Sequence, residues 1–264
     1  MRRAAGFSLI ELIVVILILG ILSAGTAIYI VRGMQAYTDT VRRDRLTAVA
    51  RAATERVVRE LRNALPNSIR LASNGGVECI EFVPVDSAGA YLEDLAPRGS
   101  ITAFNAVPYL PPPTGDRFVV IYPYATTPLY TAGNPGPVAG YDPASNATAG
   151  EVRLVSAHRF AHDSPRHRFF LTGGPVSFCI DGASSRLDRY TGYGFTSTPA
   201  APPHATPALV AEHLQLVDGG AAVTPFAWDP GSLIRAGVVT LDLRFMEEGE
   251  WVRLRQEVQI RNAP

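Results

Sequence analysis

The densest group of side chains that could bind a metal lies in the middle of the chain. His158, His162 and His167 occur close together, with Asp163 among them. Imidazole nitrogens and carboxylates are common zinc ligands, and histidines at positions i and i+4 can share one face of a helix. The segment has the composition of a strand and a loop, however, and Pro165 separates the third histidine. We therefore predict no metal here and expect the histidines to be exposed to solvent.

A second group of possible ligands consists of carboxylates, which would suit calcium. None of them lies in a recognisable calcium-binding loop: Asp181, Asp188, Glu247, Glu248 and Glu250. The sequence also lacks a nucleophile motif, a phosphate-binding loop and paired zinc ligands. We therefore predict no metal, no cofactor and no enzymatic activity. The formal net charge is zero, so we expect no nucleic-acid partner.

The carboxylate that most needs an explanation is Glu11, at the edge of an uncharged apolar run from Leu12 to Val31. A carboxylate next to lipid is costly, so it needs a partner, a function or a path to the interface. One interpretation is that Glu11 reaches the headgroups. The other is a charge pair. If the chain were cut between Gly6 and Phe7, the new amino terminus would lie four residues before Glu11, and in a bundle Glu11 could neutralise a neighbour's amine.

The apolar run must position that carboxylate. A helix of about twenty residues spans about 30 Å, enough to cross the core of a bilayer. Arg2 and Arg3 precede it and should stay cytoplasmic, which leaves the C-terminal side outside. A secretory signal peptide is the alternative. The short leader, the long apolar run and the lack of a small-x-small site behind it favour a retained anchor.

The segment Gly6–Leu12, with the sequence GFSLIEL, resembles the cleavage and methylation motif of type IV prepilins and type II secretion pseudopilins. The resemblance implies cleavage after Gly6 by prepilin peptidase, a membrane aspartic peptidase, and N-methylation of Phe7. It gives Glu11 a role in subunit registration. It also implies as partners the other pilins of the same filament and an inner-membrane assembly platform.

Helical character continues from 32 to 65 in a more polar form. One apolar stripe recurs at spacings of three and four: Leu46, Val49, Ala50, Ala53, Val57, Leu61, Ala64 and Leu65. Asp39 precedes Arg43 at i,i+4, a spacing that supports an exposed helical face. Pro66 and Asn67 end the pattern. We therefore predict one helix from 7 to 65, whose second half packs its stripe on a head.

Beyond Pro66 the pattern is that of β structure. The alternation in Val238–Met246 and Trp251–Arg261 predicts an antiparallel hairpin across Glu247–Glu250. We predict further strands at Val77–Val85, Phe118–Tyr124, Glu151–Phe160, Arg168–Thr172, Val176–Asp181 and Leu209–Leu216. The fold class is α+β: a long N-terminal helix packed on a mainly antiparallel β-sheet head, with a second subdomain as an open alternative.

The predicted organisation has four parts: a leader at 1–6, a transmembrane half-helix at 7–31, an amphipathic half-helix at 32–65 and a head at 66–264. The protein is then a single-pass inner-membrane protein with a periplasmic head, assembled into a pilus or pseudopilus. Disulfides persist in the periplasm. Cys79 and Cys179 both lie in apolar, strand-like segments, and they form either one bridge or two buried thiols.

Two stretches of the head resemble MSHA-pilus biogenesis proteins of the MshO type: Asn63–Arg70 with Cys79–Phe82, and Ser164–Pro165 with Arg168–Leu171 and Gly174–Phe178. Two departures from the major-pilin pattern agree with a minor pilin. The run Leu12–Val31 contains no proline, and Cys179 lies far from the C-terminus.

The resemblance leaves three functions open. The first is a minor pilin of an MSHA-like type IV pilus. The second is a minor pseudopilin of a type II secretion system, which shares the N-terminal motif. The third is a pilus-tip module whose head binds DNA or a surface. Gene neighbours would separate the first two.

Overall fold

The computed structural model describes residues 8–231 and 235–260. Its first element is the helix α1, Leu9–Arg62, which at the usual rise is about 80 Å long. The helix ends before the predicted residue Leu65. Asn63 takes a non-helical conformation, and the next residues pair with another segment: Ala64 bridges Pro84, and the Leu65 amide donates to the Val83 carbonyl at 2.7 Å.

The regular structure in the remaining described chain is strand, apart from one short α-helix and one 3₁₀ turn (Ala96–Arg98). In chain order the elements are β1 Arg70–Asn74, β2 Val77–Phe82, β3 Ser87–Ala90, β4 Ile101–Asn105, β5 Phe118–Ile121, α2 Thr126–Thr131, β6 Val138–Gly140, β7 Glu151–His158, β8 Arg168–Thr172, β9 Val176–Asp181, β10 Arg186–Thr191, β11 Ala208–Glu212, β12 Val217–Asp218, β13 Ala221–Ala222, β14 Phe226–Asp229, β15 Gly237–Glu247 and β16 Glu250–Ile260.

These strands pair antiparallel, in several sheets. One sheet has the order β1-β2-β9-β10-β11 and another the order β14-β15-β16. A third, β3-β8-β5-β6, is inserted between β2 and β9 and has a separate core with the pair β4-β7. The predicted α+β class is confirmed. The head contains several sheets, and the second subdomain that the sequence left open lies between the two strands that carry the cysteines.

The main core forms where the second half of α1 meets the sheets. Leu46, Ala50, Val57 and Leu61 are fully buried together with side chains of β2, β9 and β15. The predicted apolar stripe is thus confirmed. Thr54 lies within it, and its hydroxyl donates to the Ala50 carbonyl at 2.8 Å, which satisfies its polar atom inside the helix.

The β15–β16 hairpin is also confirmed, with a tighter turn than predicted. Glu247 pairs with Glu250, so the turn consists only of Glu248 and Gly249. Both have positive φ, 45° and 90°, the combination that a two-residue turn between twisted strands requires. Inward-facing positions of β15 are buried and outward-facing ones are partly exposed. The predicted end at Arg261 lies outside the described residues.

Candidate assembly site

The N-terminal end of α1 is formed by backbone hydrogen bonds. Ser8 has an extended conformation at the N-cap position, and its carbonyl accepts from the amides of Glu11 and Leu12 at 3.1 and 3.2 Å. The Ser8 side chain makes no capping bond. Gly6 and Phe7 lie outside the described residues, so cleavage between them and methylation of Phe7 stay predictions.

Glu11 lies in the first turn of α1 and is exposed. The free amides of a helix N-terminus carry partial positive charge, so a carboxylate in the first turn stabilises the helix. This position also leaves the carboxylate open to a partner from outside the chain. The role of Glu11 in assembly stays a prediction.

The part of α1 that follows is apolar and uncovered. Every residue from Ser8 to Val41 is exposed, with Ile10 at 71% and Ile21 at 65%. By length and composition this helix can cross a membrane. Its most apolar stretch of 18 residues is not buried by any other part of the described chain. Such a surface is unfavourable in water, so it requires lipid or other apolar helices around it.

The head first covers α1 at its contact with the β15–β16 turn. The Nε and Nη2 atoms of Arg43 donate to one oxygen of Glu250 at 2.9 and 2.7 Å, and Arg42 pairs with Glu248. The predicted pair of Asp39 with Arg43 was therefore wrong: Asp39 lies 3.4 Å from Arg42 instead. Arg43 pairs with Glu250 on β16 rather than with Asp39, because the Glu250 carboxylate accepts two hydrogen bonds from the guanidinium.

A second polar contact fixes the other end of the covered segment. Arg189 on β10 donates from Nε to both oxygens of Glu60, at 3.1 and 2.9 Å. Both side chains are about three-quarters buried. The head is thus attached to α1 by a core between two sets of ion pairs.

Cys79 on β2 and Cys179 on β9 are directly opposite each other in the central sheet. Their Cα atoms are 4.1 Å apart and their sulfurs are joined as a disulfide. Both residues are buried, next to Tyr190 and Ala201. The bridge closes a segment of 100 residues that contains the whole inserted subdomain.

His162 is exposed, as we predicted, and His167 is partly exposed, but the prediction was wrong for His158. His158 is buried at the end of β7, where Nε2 lies 2.9 Å from the Gly136 carbonyl. Asp163 accepts from the Leu95 amide at 2.8 Å, and His167 contacts Asp94. Sequence composition missed the burial of His158 because its carbonyl partner comes from a distant loop. Within residues 8–231 and 235–260, no group of three or more possible ligands is arranged to hold a metal.

The five carboxylates considered for calcium do not converge either, because each has a separate partner elsewhere in the chain. Glu248 and Glu250 pair with α1, as described above. Asp181 accepts from the Ala183 amide and from the Ser184 hydroxyl at 2.7 Å, and this hydroxyl bond is the main cause that lowers the pKa of Asp181. Asp188 pairs with Arg186 at 3.0 Å, and Glu247 lies 3.8 Å from His213.

One buried polar cluster escaped the sequence analysis. Arg70 on the edge strand β1 pairs with Glu81 on β2, and its guanidinium lies 3.5 Å above the ring of Tyr130. Burial raises the pKa of the Tyr130 hydroxyl well above its ordinary value. Arg70 also donates to the carbonyls of Thr196 and Ser197 at 2.7 and 2.9 Å. The only sequence signal was a charged residue in an apolar strand. Such a residue does not identify its partner unless the register of β1 with β2 is known.

Comparison with known proteins gives one match. Residues 1–27 match the prokaryotic N-terminal methylation motif. No curated protein and no solved structure matches the chain.

The fold and this site define a membrane-anchored, single-pass subunit: an uncovered apolar helix at the N-terminus, continuous with a helix that carries a β-rich head. The methylation motif supports the type IV pilin and pseudopilin family. It indicates a structural subunit rather than an enzyme, and it implies processing by prepilin peptidase and assembly with other pilins.

Proposed function

We propose that this protein is a minor pilin of an MSHA-like type IV pilus. Prepilin peptidase removes residues 1–6, and Phe7 becomes the methylated N-terminus. The head is periplasmic while the subunit waits in the inner membrane. The observation that carries the proposal is the methylation motif on a helix whose first half, Ser8 to Val41, has no cover from its own chain.

The exposed helix explains why such a subunit needs both a membrane and a filament. Before assembly, lipid surrounds the apolar residues. In a filament, the helices of neighbouring subunits replace the lipid. Glu11 directs this exchange, because its carboxylate pairs with the amine of Phe7, and attraction between the two charges grows as water is excluded.

The assignment to an MSHA-like pilus rests on the resemblance of Asn63–Arg70, Cys79–Phe82 and the segments from Ser164 to Phe178. In the structure these segments form the helix exit and the strands β2, β8 and β9. The inserted subdomain between β2 and β9 enlarges the head, which agrees with a minor rather than a fibre-forming subunit.

Deletion of the gene tests the proposal against its closest rival. A minor pilin is required for normal numbers of surface pili, and protein secretion continues without it. Loss of secreted enzymes with normal pili would instead identify a minor pseudopilin of a type II secretion system. Complementation with the intact gene, and with a variant carrying Gly6→Leu that should block cleavage, provides the matched controls.

A further inference from the structure

The disulfide lies on the face of the central sheet that α1 does not cover. Ile80 and Phe178, the chain neighbours of Cys79 and Cys179, are buried in the core beneath α1. Because side chains alternate between the two faces of a strand, the cysteines point to the opposite face. A separate group of buried side chains surrounds them there. The burial of the disulfide therefore depends on a different part of the chain from the main core.

That part is the loop between β10 and β11, residues 192–207, which we call the strap. Ala201 of the strap is buried together with the two cysteines, and Tyr193 and Ala205 pack against the same group. With the strap in place, Cys79 and Cys179 are each only 2% exposed. Without it, this side of the disulfide would face solvent.

The strap is attached to the head less firmly than the strands around it. Among the described residues its only backbone hydrogen bond is internal, from the Ala205 amide to the Pro203 carbonyl at 2.9 Å. Only Ala201 and Pro203 of the strap are buried. A cleft of about 630 Å³ lies between part of the strap and β1, and it reaches Ala72, which pairs with Cys79. Segments with few backbone hydrogen bonds and few buried contacts open at a lower free energy than the whole domain.

Arg70 on β1 provides the strongest polar contact that holds the strap on the sheet. Its Nη2 and Nη1 atoms donate to the carbonyls of Thr196 and Ser197 at 2.7 and 2.9 Å. Its ion pair with Glu81 fixes the guanidinium in this position. Both strap carbonyls thus accept charged hydrogen bonds, which are stronger than neutral ones.

Two aromatic side chains of the strap add to this contact. The Tyr193 hydroxyl lies 2.7 Å from the Ser177 hydroxyl on β9. The Phe195 ring packs edge-on against the ring of Phe118 on β5, with 5.0 Å between the ring centres. None of these contacts is part of strand pairing, so they can break while the sheet stays intact.

We propose that the strap is a cover that controls chemical access to the Cys79–Cys179 bridge, with Arg70 as its latch. A disulfide-bearing oxidant, of the kind that forms bridges in exported proteins, reaches the two thiols before the strap docks. The docked strap then keeps thiol reductants away from the bridge, and access returns only when the strap opens. This inference goes beyond the proposed pilus function and does not depend on it.

Formation of the bridge requires room for a sulfur of the oxidant. One cysteine thiolate attacks the oxidant's disulfide, which gives a mixed disulfide and releases one thiolate of the oxidant. The second cysteine thiolate attacks the cysteine sulfur of that mixed disulfide, so the bridge forms and the second thiolate leaves. The two cysteines lose two protons and two electrons, and the electrons reduce the oxidant. Reduction by an external thiol retraces these steps, so its rate reports access in both directions.

Reduction kinetics of the mature chain in detergent micelles test the inference. The bridge is reduced with dithiothreitol at a series of urea concentrations, and free thiols are counted by alkylation and mass spectrometry. Urea promotes an opening in proportion to the surface that the opening exposes. Movement of the strap exposes little surface, so we expect a reduction rate that is almost independent of urea at low concentrations. A rate that rises steeply from the first addition of urea, in parallel with global unfolding, would overturn the inference.

Release of the latch should speed up the reduction. The double variant Arg70→Met/Glu81→Gln removes the latch without leaving a buried charge unpaired. We expect its bridge to be reduced about tenfold faster, which corresponds to the net loss of roughly one charged hydrogen bond. Leu61→Ala is the matched control: it destabilises the main core without touching the strap, so the reduction rate at low urea should not change.

A second strap variant keeps the inference testable if the double variant does not fold. Phe195→Ala loosens the strap from β5 and leaves Arg70 in place, and it should also speed up the reduction. Thermal unfolding establishes which variants fold. Reduction of the folded strap variants at the parent's rate would overturn the inference. An equal acceleration by Leu61→Ala would also overturn it, because reduction would then follow global unfolding.

Discussion

Removal of the disulfide tests the architecture of the head most sharply. In a chain-entropy model, closing a loop of 100 residues stabilises the folded state by about 4.7 kcal/mol, and loss of a native disulfide typically costs about 2–5 kcal/mol. Cys79→Ala alone opens the loop. We therefore expect the single variant to lose nearly as much stability as the double variant Cys79→Ala/Cys179→Ala.

The comparison of single and double variants separates a bridge from two buried thiols. If the thiols were free, each alanine would cost only about 1 kcal/mol of buried apolar contact, and the two losses would add. With a bridge, the second substitution adds little, because the loop is already open. For a head of this size, a loss of about 4 kcal/mol lowers the melting temperature by about 8–16 °C.

The assay is thermal unfolding of the mature chain in detergent, followed by near-ultraviolet circular dichroism of the head's aromatic residues. Thiol titration of the unfolded protein provides the control: we expect no free thiol in the parent and one in Cys79→Ala. Additive losses, or two free thiols in protein purified from the periplasmic side, would refute the reasoning.

Three further predictions concern the helix and the hairpin. Glu11→Ala should leave membrane insertion and head stability unchanged and reduce the amount of subunit in sheared filaments; normal incorporation would contradict the charge-pair role. Leu61→Ala should destabilise the head by about 2–5 kcal/mol in denaturant unfolding, because Leu61 is fully buried, whereas exposed Val41→Ala should change it little. The hydrogen bond from Arg253 lowers the pKa of Asp242 in the folded protein. The ionised carboxylate therefore stabilises the fold at pH values above the ordinary carboxylate pKa, and this stabilisation is lost as the pH falls through the lower pKa that Asp242 has in the folded protein. Asp242→Asn should remove that part of the acid dependence, which is below about 1 kcal/mol for a pair at the surface; an unchanged acid profile would contradict it.

The sequence predicts best what depends on local periodicity. The stripe from Leu46 to Leu61 recurs along one helical face, and the alternation in the β15–β16 hairpin identifies its inward residues, so both were confirmed. β8 and β9 begin and end at the predicted residues, because short apolar runs between turn residues define them.

The features that the sequence missed depend on contacts between distant segments. β10 is partly polar and lacks a clean alternation, yet it lies inside the central sheet between β9 and β11. The pair Arg70–Glu81 needs the register of β1 with β2, and the contacts of Arg42 and Arg43 need the position of the hairpin turn on α1. A single sequence contains no signal for these pairings.

The N-terminal mass of the mature protein tests the central claim most directly. The protein is extracted from membranes, and its intact mass and N-terminal peptide are measured by mass spectrometry. We expect a chain that begins at Phe7 and carries one added methyl group, with the Gly6→Leu variant retaining the full leader. A mature chain that still carries Arg2 and Arg3, in cells that process other prepilins, would contradict the assignment as a pilin-like filament subunit.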